Sequence, residues 1–172
     1  MSCELNRKTG DVLLDVQHLK THFFTKWGVV RAVDGISFQL KEGETLSLVG
    51  ESGCGKTITS LSLLRLVPEP AGRIVGGRIL FKGEDILAKS GDEMRRLRGR
   101  EIAMIFQDPA TSLNPAFTIG EQVAEAVRTH QGEKGERLWQ KVTEALKLVR
   151  IASPELRRLD YPHQMSGGMK QR

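Results

Sequence analysis

The sequence predicts an α/β fold, and three features predict it. Short β-like stretches crowd the first hundred residues, helical periodicity dominates the rest, and an apolar run is followed directly by "GESGCGKT" and a helix-like segment. At 172 residues, with 39% hydrophobic and 27% charged residues, the chain is long enough for one ordinary domain with a real core.

The elements follow in order. Residues 12–17, "VLLDVQ", and 36–40, "ISFQL", read as short strands, with aromatics and a glycine turn in "FFTKWGVV" between them. Residues 44–49, "ETLSLV", read as a mostly buried strand. The stretch "ITSLSLLRLV" is apolar on nearly every side and reads as a buried helix closed by Pro68 and Pro70. "AGRIVGGRILFKGEDI" is β-like and punctuated by glycine. Ser90 and Glu93 make a capping box for a short helix, and "IAMIF" at 102–106 reads as a second buried strand. A second capping box, Thr118 with Glu121, opens a helix to about His130. An amphipathic helix over 133–150 puts Leu138, Val142, Ala145, Leu146 and Val149 on one face. Ser153 and Pro154 fit an N-cap and first helical position. The expected division is a β-rich part over about 12–106 and a helical part over 107–172.

Bulk chemistry narrows the function classes. No apolar run reaches the ~20 residues of a membrane helix, and "MSCELNRKTG" lacks the apolar stretch of a secretory signal. The chain is expected in the cytosol. Cys3 and Cys54 have no metal-ligand spacing and suggest no disulfide framework. Net charge is +5, and "RRLRGR" at 95–100 reads as a solvated basic face. Aromatic residues make up 5% and do not interleave with that patch, so no nucleic-acid partner is expected.

Gly50 to Thr57 matches G-x-x-x-x-G-K-[ST] in the context the motif needs, after an expected strand and before an expected helix. Gly50, Gly53 and Gly55 let backbone wrap a phosphate without Cβ clashes. Amides near Glu51, Ser52 and Cys54 and on to Thr57 then point inward, reinforced by the positive helix end. Lys56 supplies a cation for the outer phosphates, and the Thr57 hydroxyl can ligate Mg²⁺. On these residues alone the site is one for a nucleoside triphosphate, with kinase, GTPase and transport ATPase all open. Cys54 lies inside the loop and is either an inert small side chain or a thiol activated by the helix end and Lys56.

Three further stretches narrow the choice: "FFTKWGVVRAVDGISFQLKEGETLSLVGESGCGKT", "IAMIFQDPATSLNP" and "YPHQMSGGMKQR". Together they resemble the nucleotide-binding subunit of an ATP-binding cassette (ABC) transporter, and most of all its oligopeptide/dipeptide importer branch. The likeness runs from about residue 12 to Arg172, with the motifs in order. It implies a P-loop NTPase fold of ABC ATPase type, with an antiparallel β subdomain, a helical subdomain and an incomplete RecA-like core. Gly50–Thr57 would be the Walker A loop, holding ATP and Mg²⁺. Gln107 would be the Q-loop glutamine that touches Mg²⁺ and the attacking water. Phe23, or in its place Phe24 or Trp27, would stack on adenine. Ser166, Gly167 and Gly168 would be the signature motif, which closes on nucleotide held by a second ATPase subunit. Met165 and Met169 stand where leucine and glutamine are usual; methionine at the latter place is typical of the branch. His163 is read as a family structural residue.

The resemblance also implies partners: a second ABC ATPase subunit, membrane permease subunits and, indirectly, an extracytoplasmic solute-binding protein. The location would be the cytoplasmic face of the inner membrane. Substrate choice sits in the permease and binding protein, and nickel and glutathione importers share the branch. The family's Walker B strand, with its Mg²⁺ aspartate and catalytic glutamate, its D-loop and its switch histidine follow the signature and are not among these residues. Glu133, Glu136, Glu144 and Glu155 lack a preceding buried strand and do not substitute. The expectation is an N-terminal importer-ATPase fragment without hydrolysis of its own and of marginal stability. The alternative is a non-catalytic nucleotide-binding or docking module, and a small-molecule kinase leaves "QMSGGM" unexplained.

Overall fold

The computed structural model describes residues 11–106 and 112–172. It divides into two compact units, Met1–Arg98 and Gly99–Arg172.

The first unit is built on an antiparallel sheet. Strand β1 (Val12–Thr25) and strand β2 (Gly28–Lys41) form a hairpin far longer than the two short strands expected. Lys26 and Trp27 make the turn, where the Thr25 hydroxyl donates to the Gly28 carbonyl at 2.9 Å. Strands β3 (Gly72–Phe81) and β4 (Glu84–Asp85) complete the order β2-β1-β3-β4. The sequence hides the hairpin's length because β1 is interrupted. His18 takes a φ of 48°, and the register slips between Val16 and Leu19. Gly77 on β3 faces that bulge with a φ of 93°, and a Cβ there would lie 2.6 Å from the Gln17 and His18 carbonyl oxygens. Only glycine fits this crossing.

Helix α1 (Lys56–Leu63) packs on the sheet, and helix α2 (Gly91–Leu97) follows β4. Leu14, Val16, Leu19, Ile79, Ile86 and Met94 are buried in this unit. One buried contact is polar: the Thr21 and Ser62 hydroxyls meet at 2.8 Å, and Ser62 Oγ also donates to the Ile58 carbonyl at 2.7 Å. α1 stops short of the prolines expected to close it, because Arg65 turns left-handed at a φ of 50°.

The second unit is helical. Helices α3 (Ile119–Gln131) and α4 (Gly135–Leu148) pair, and the short α5 (Pro154–Arg157) and α6 (Gly167–Gln171) follow. The amphipathic stripe is as expected: Leu138, Val142 and Leu146 join Ile119, Ala124, Val127, Ile151 and Met165 in one buried cluster. Both capping boxes form, Ser90 with Glu93 on α2 and Thr118 with Glu121 on α3. Ser153 and Pro154 take the N-cap and first helical positions of α5 as expected, but Ser153 is left-handed and its side chain makes no capping bond.

Two expected strands are absent. Residues 44–49 and 102–106 lack strand pairing beyond an isolated bridge at Ile102, and Val49 and Ile105 are 92% and 97% exposed. The reason is physical. A strand needs a neighbour to satisfy its backbone groups, and among the described residues neither segment has one. The apolar pattern that suggested burial is real, but nothing here covers it.

Candidate functional site

The phosphate-loop motif folds as its glycine spacing requires. Gly53 and Gly55 take φ values of 86° and 93°, where side chains are strained. A Cβ on Gly55 would lie 2.2 Å from the Ala32 carbonyl oxygen, so the loop is pressed against β2. A Cβ on Gly50 would meet Cys54 Sγ at 2.5 Å, so any larger residue there displaces the Cys54 side chain.

The loop ends in α1 with Gly55 at the N-cap and no side chain capping it. The first amides of an α-helix have no partner within the helix, and here no side chain takes one. Lys56 folds back over the loop: its Nζ donates to the Gly50 and Glu51 carbonyls at 2.6 Å each and lies 3.4 Å from Cys54 Sγ. Thr57 is exposed in the first turn of α1, beside Lys56. Glu51, Ser52, Gly53 and Cys54 are exposed too. The arrangement is an exposed glycine turn leading into an uncapped helix start, with a cation held by two carbonyls and the Cys54 thiol, chemistry that suits a polyanion.

The other expected residues fall as follows. Phe23 lies on β1 opposite Val30 of β2 and Gly72 of β3 and is half-buried. Its Cε1 lies 2.8 Å from where a Gly72 Cβ would stand. Phe24 and Trp27 are the exposed aromatics of the hairpin, 46% and 86% accessible. Arg73 sits over the Phe24 ring and Lys26 over Trp27. Gln107 lies outside the described residues.

Ser166 caps α6, its Oγ accepting from the Met169 amide at 3.3 Å. Gly167 and Gly168 have no described atom within 4 Å of an added Cβ. Among the described residues nothing around them demands glycine. His163 stacks on Tyr161 with ring centroids 5.7 Å apart, which fits its reading as structural. Among the described residues no cluster of His, Cys, Asp or Glu could hold a metal, and no helix is long and apolar enough to cross a membrane.

The sequence reading missed one contributor to the loop, the Ala32 carbonyl, which carries no side-chain signal. It also missed a core contact outside the loop, the Thr21–Ser62 bond, invisible because its partners lie 41 residues apart.

Residues 33–172 match the family model described as ABC transporter. The chain belongs to the ABC transporter family. Several of its curated relatives are named as ATP-binding proteins of peptide transport. The probable peptide ABC transporter ATP-binding protein y4tR of Sinorhizobium fredii is 53% identical over 163 residues, which is 95% of this chain and 49% of that protein. The dipeptide transport ATP-binding protein DppD of Bacillus subtilis is 48% identical over 160 residues, 93% of this chain and 48% of that protein. The chain therefore spans about half the length of the curated relatives it matches. Among solved structures, the dimeric ABC transporter cassette MJ0796 superposes with a TM-score of 0.75 over 91% of this chain and 65% of that one, at 22% identity. The fold is thus that of an ABC cassette. A second MJ0796 structure holds ADP and Pi.

Proposed function

We propose that the chain supplies the ATP-binding part of an importer subunit that couples ATP binding and hydrolysis to uptake of oligopeptides or dipeptides. The observation that carries this reading is the 50–57 cradle. Its left-handed glycines, uncapped helix start and back-folded Lys56 suit triphosphate oxygens. The names of the relatives support the peptide class.

Each residue then has a role. Amides from Glu51 to Thr57 hold the β- and γ-phosphates, and Lys56 exchanges its carbonyl partners for phosphate oxygens. The Thr57 hydroxyl, exposed beside Lys56, suits Mg²⁺, which when bound offsets charge on the phosphates. Gln107 orients the water and reports nucleotide state to the permease. Among the aromatics, Phe24 and Trp27 are exposed, each with a cation over its ring, whereas Phe23 is half-buried and packed at Gly72. Adenine stacking therefore suits Phe24 or Trp27 better than Phe23.

Ser166, Gly167 and Gly168 contact nucleotide on a second ATPase subunit. The open space over both glycines favours this, since a backbone stripped of side chains is one a partner's phosphate can approach. Permease subunits and an extracytoplasmic solute-binding protein complete the assembly, at the cytoplasmic face of the inner membrane.

The test is reconstitution of the full-length polypeptide carrying this sequence with its permease and binding protein in vesicles. ATP turnover that rises with added di- or oligopeptide and disappears in Lys56→Ala supports the reading. Turnover indifferent to every peptide, but responsive to nickel or glutathione, replaces the substrate class.

A further inference from the structure

A second basic concavity lies in the first unit, away from the phosphate loop. It is a cleft of about 340 Å³ between the segment after α1, the start of β3 and helix α2. Arg65, Arg73 and Arg98 line it, with Ile74 and Met94 among its apolar walls. Glu69 is the one carboxylate among its lining residues.

Among the described residues, the arginines bond to carbonyls and a ring rather than to a carboxylate. Arg98 donates through Nε to the Leu64 carbonyl at 2.7 Å and through an Nη to the Arg65 carbonyl at 2.9 Å. Arg65 donates to the Ile86 and Lys89 carbonyls. Arg73 rests on the Phe24 ring. Carbonyls and ring faces orient a guanidinium but do not neutralise it. Arg65 and Arg98 are half-buried neighbours. Burial first, then the Arg65 and Arg95 charges, hold the Arg98 pKa below the usual guanidinium value. Like charges gathered in a partly desolvated cleft are stabilised most by an anion.

We propose that this cleft binds a small organic anion, a carboxylate carried on an apolar body. Each guanidinium offers five N–H donors, and the carbonyl bonds named above leave some of them free on both arginines. Paired N–H edges match the fork of a carboxylate. Ile74 and Met94 take the apolar body, and the volume sits at the small end of ligand sites, which start at about 300 Å³. The assignment stands on different residues from the nucleotide reading and survives or fails apart from it.

The experiment is calorimetric titration of the full-length polypeptide carrying this sequence with 4-phenylbutyrate, and with neutral 4-phenylbutanamide as control. The expected result is saturable one-to-one uptake of the carboxylate, weakened by salt, with no uptake of the amide. Arg73→Glu, on an exposed side chain, lowers affinity by about tenfold or more, and Glu69→Gln raises it several-fold. Absence of saturable uptake, equal uptake of the amide, or affinity unmoved by both variants overturns the proposal. The Glu69→Gln arm keeps the test decisive should Arg73→Glu fold poorly.

Discussion

At the scale of single residues, some glycines stand where backbone comes close to something. Gly55 is the sharpest case, because its missing Cβ is what lets the loop sit against the Ala32 carbonyl. Gly55→Ala is therefore expected to abolish binding of a fluorescent ATP analogue and to lower thermal stability together, since strain at a φ of 93° adds to the clash. Lys56→Ala removes the cation and its exposed bonds to the loop but adds no clash and no backbone strain, so it separates the two effects: lost binding with a much smaller fall in melting temperature than Gly55→Ala. The Thr21–Ser62 pair makes a prediction of pure stability. Ser62→Ala strands the buried Thr21 hydroxyl and is expected to cost about 1–3 kcal/mol in chemical denaturation, with nucleotide affinity unchanged. Thr21→Val combined with Ser62→Ala removes both polar groups and recovers part of that loss.

At the scale of elements, local signals were read best where the structure is local. Both capping boxes and the α4 stripe follow from spacing within a turn or two, and both formed. The P-loop was legible because its function is carried by consecutive backbone. The long β1–β2 hairpin was not, because a bulge at His18 breaks the alternation that marks a strand. Residues 44–49 and 102–106 carry strand composition without strand structure, since pairing is a property of neighbours rather than of a segment. The capping box on α3 yields a pH prediction. The Thr118 backbone amide and then its hydroxyl bond the Glu121 carboxylate and hold its pKa below the usual 4.5. A folded pKa below the unfolded one stabilises the helix above about pH 4.5, and that stabilisation is lost as pH falls through the depressed value. Circular dichroism should show α3 losing helicity in that acid range, and Glu121→Gln should flatten the change. An unaltered acid limb in the variant contradicts the assignment.

At the scale of the whole molecule, an open anion cradle in one unit accompanies bare glycines in the other and two exposed apolar segments. Leu46, Leu48 and Val49 in the first segment, and Ile105 and Phe106 in the second, present apolar surface, and among the described residues neither segment pairs as a strand. Such segments pair with whatever strand they meet. The 172-residue chain is accordingly expected to self-associate as its concentration rises. Val49→Thr with Ile105→Thr, two of the most exposed of these side chains, should reduce light scattering at equal concentration. Equal scattering by the double variant removes the exposed segments as the cause.

The claim on which the rest depends is that backbone amides and one lysine at the start of α1 grip the phosphates of a nucleotide. Equilibrium titration of the full-length polypeptide carrying this sequence with a fluorescent ATP analogue and Mg²⁺ tests it most directly. The account predicts saturable binding that unlabelled ATP displaces and that Lys56→Ala reduces by at least about tenfold. Folded material that takes up no nucleotide, or takes it up equally well without the Lys56 ammonium, contradicts it.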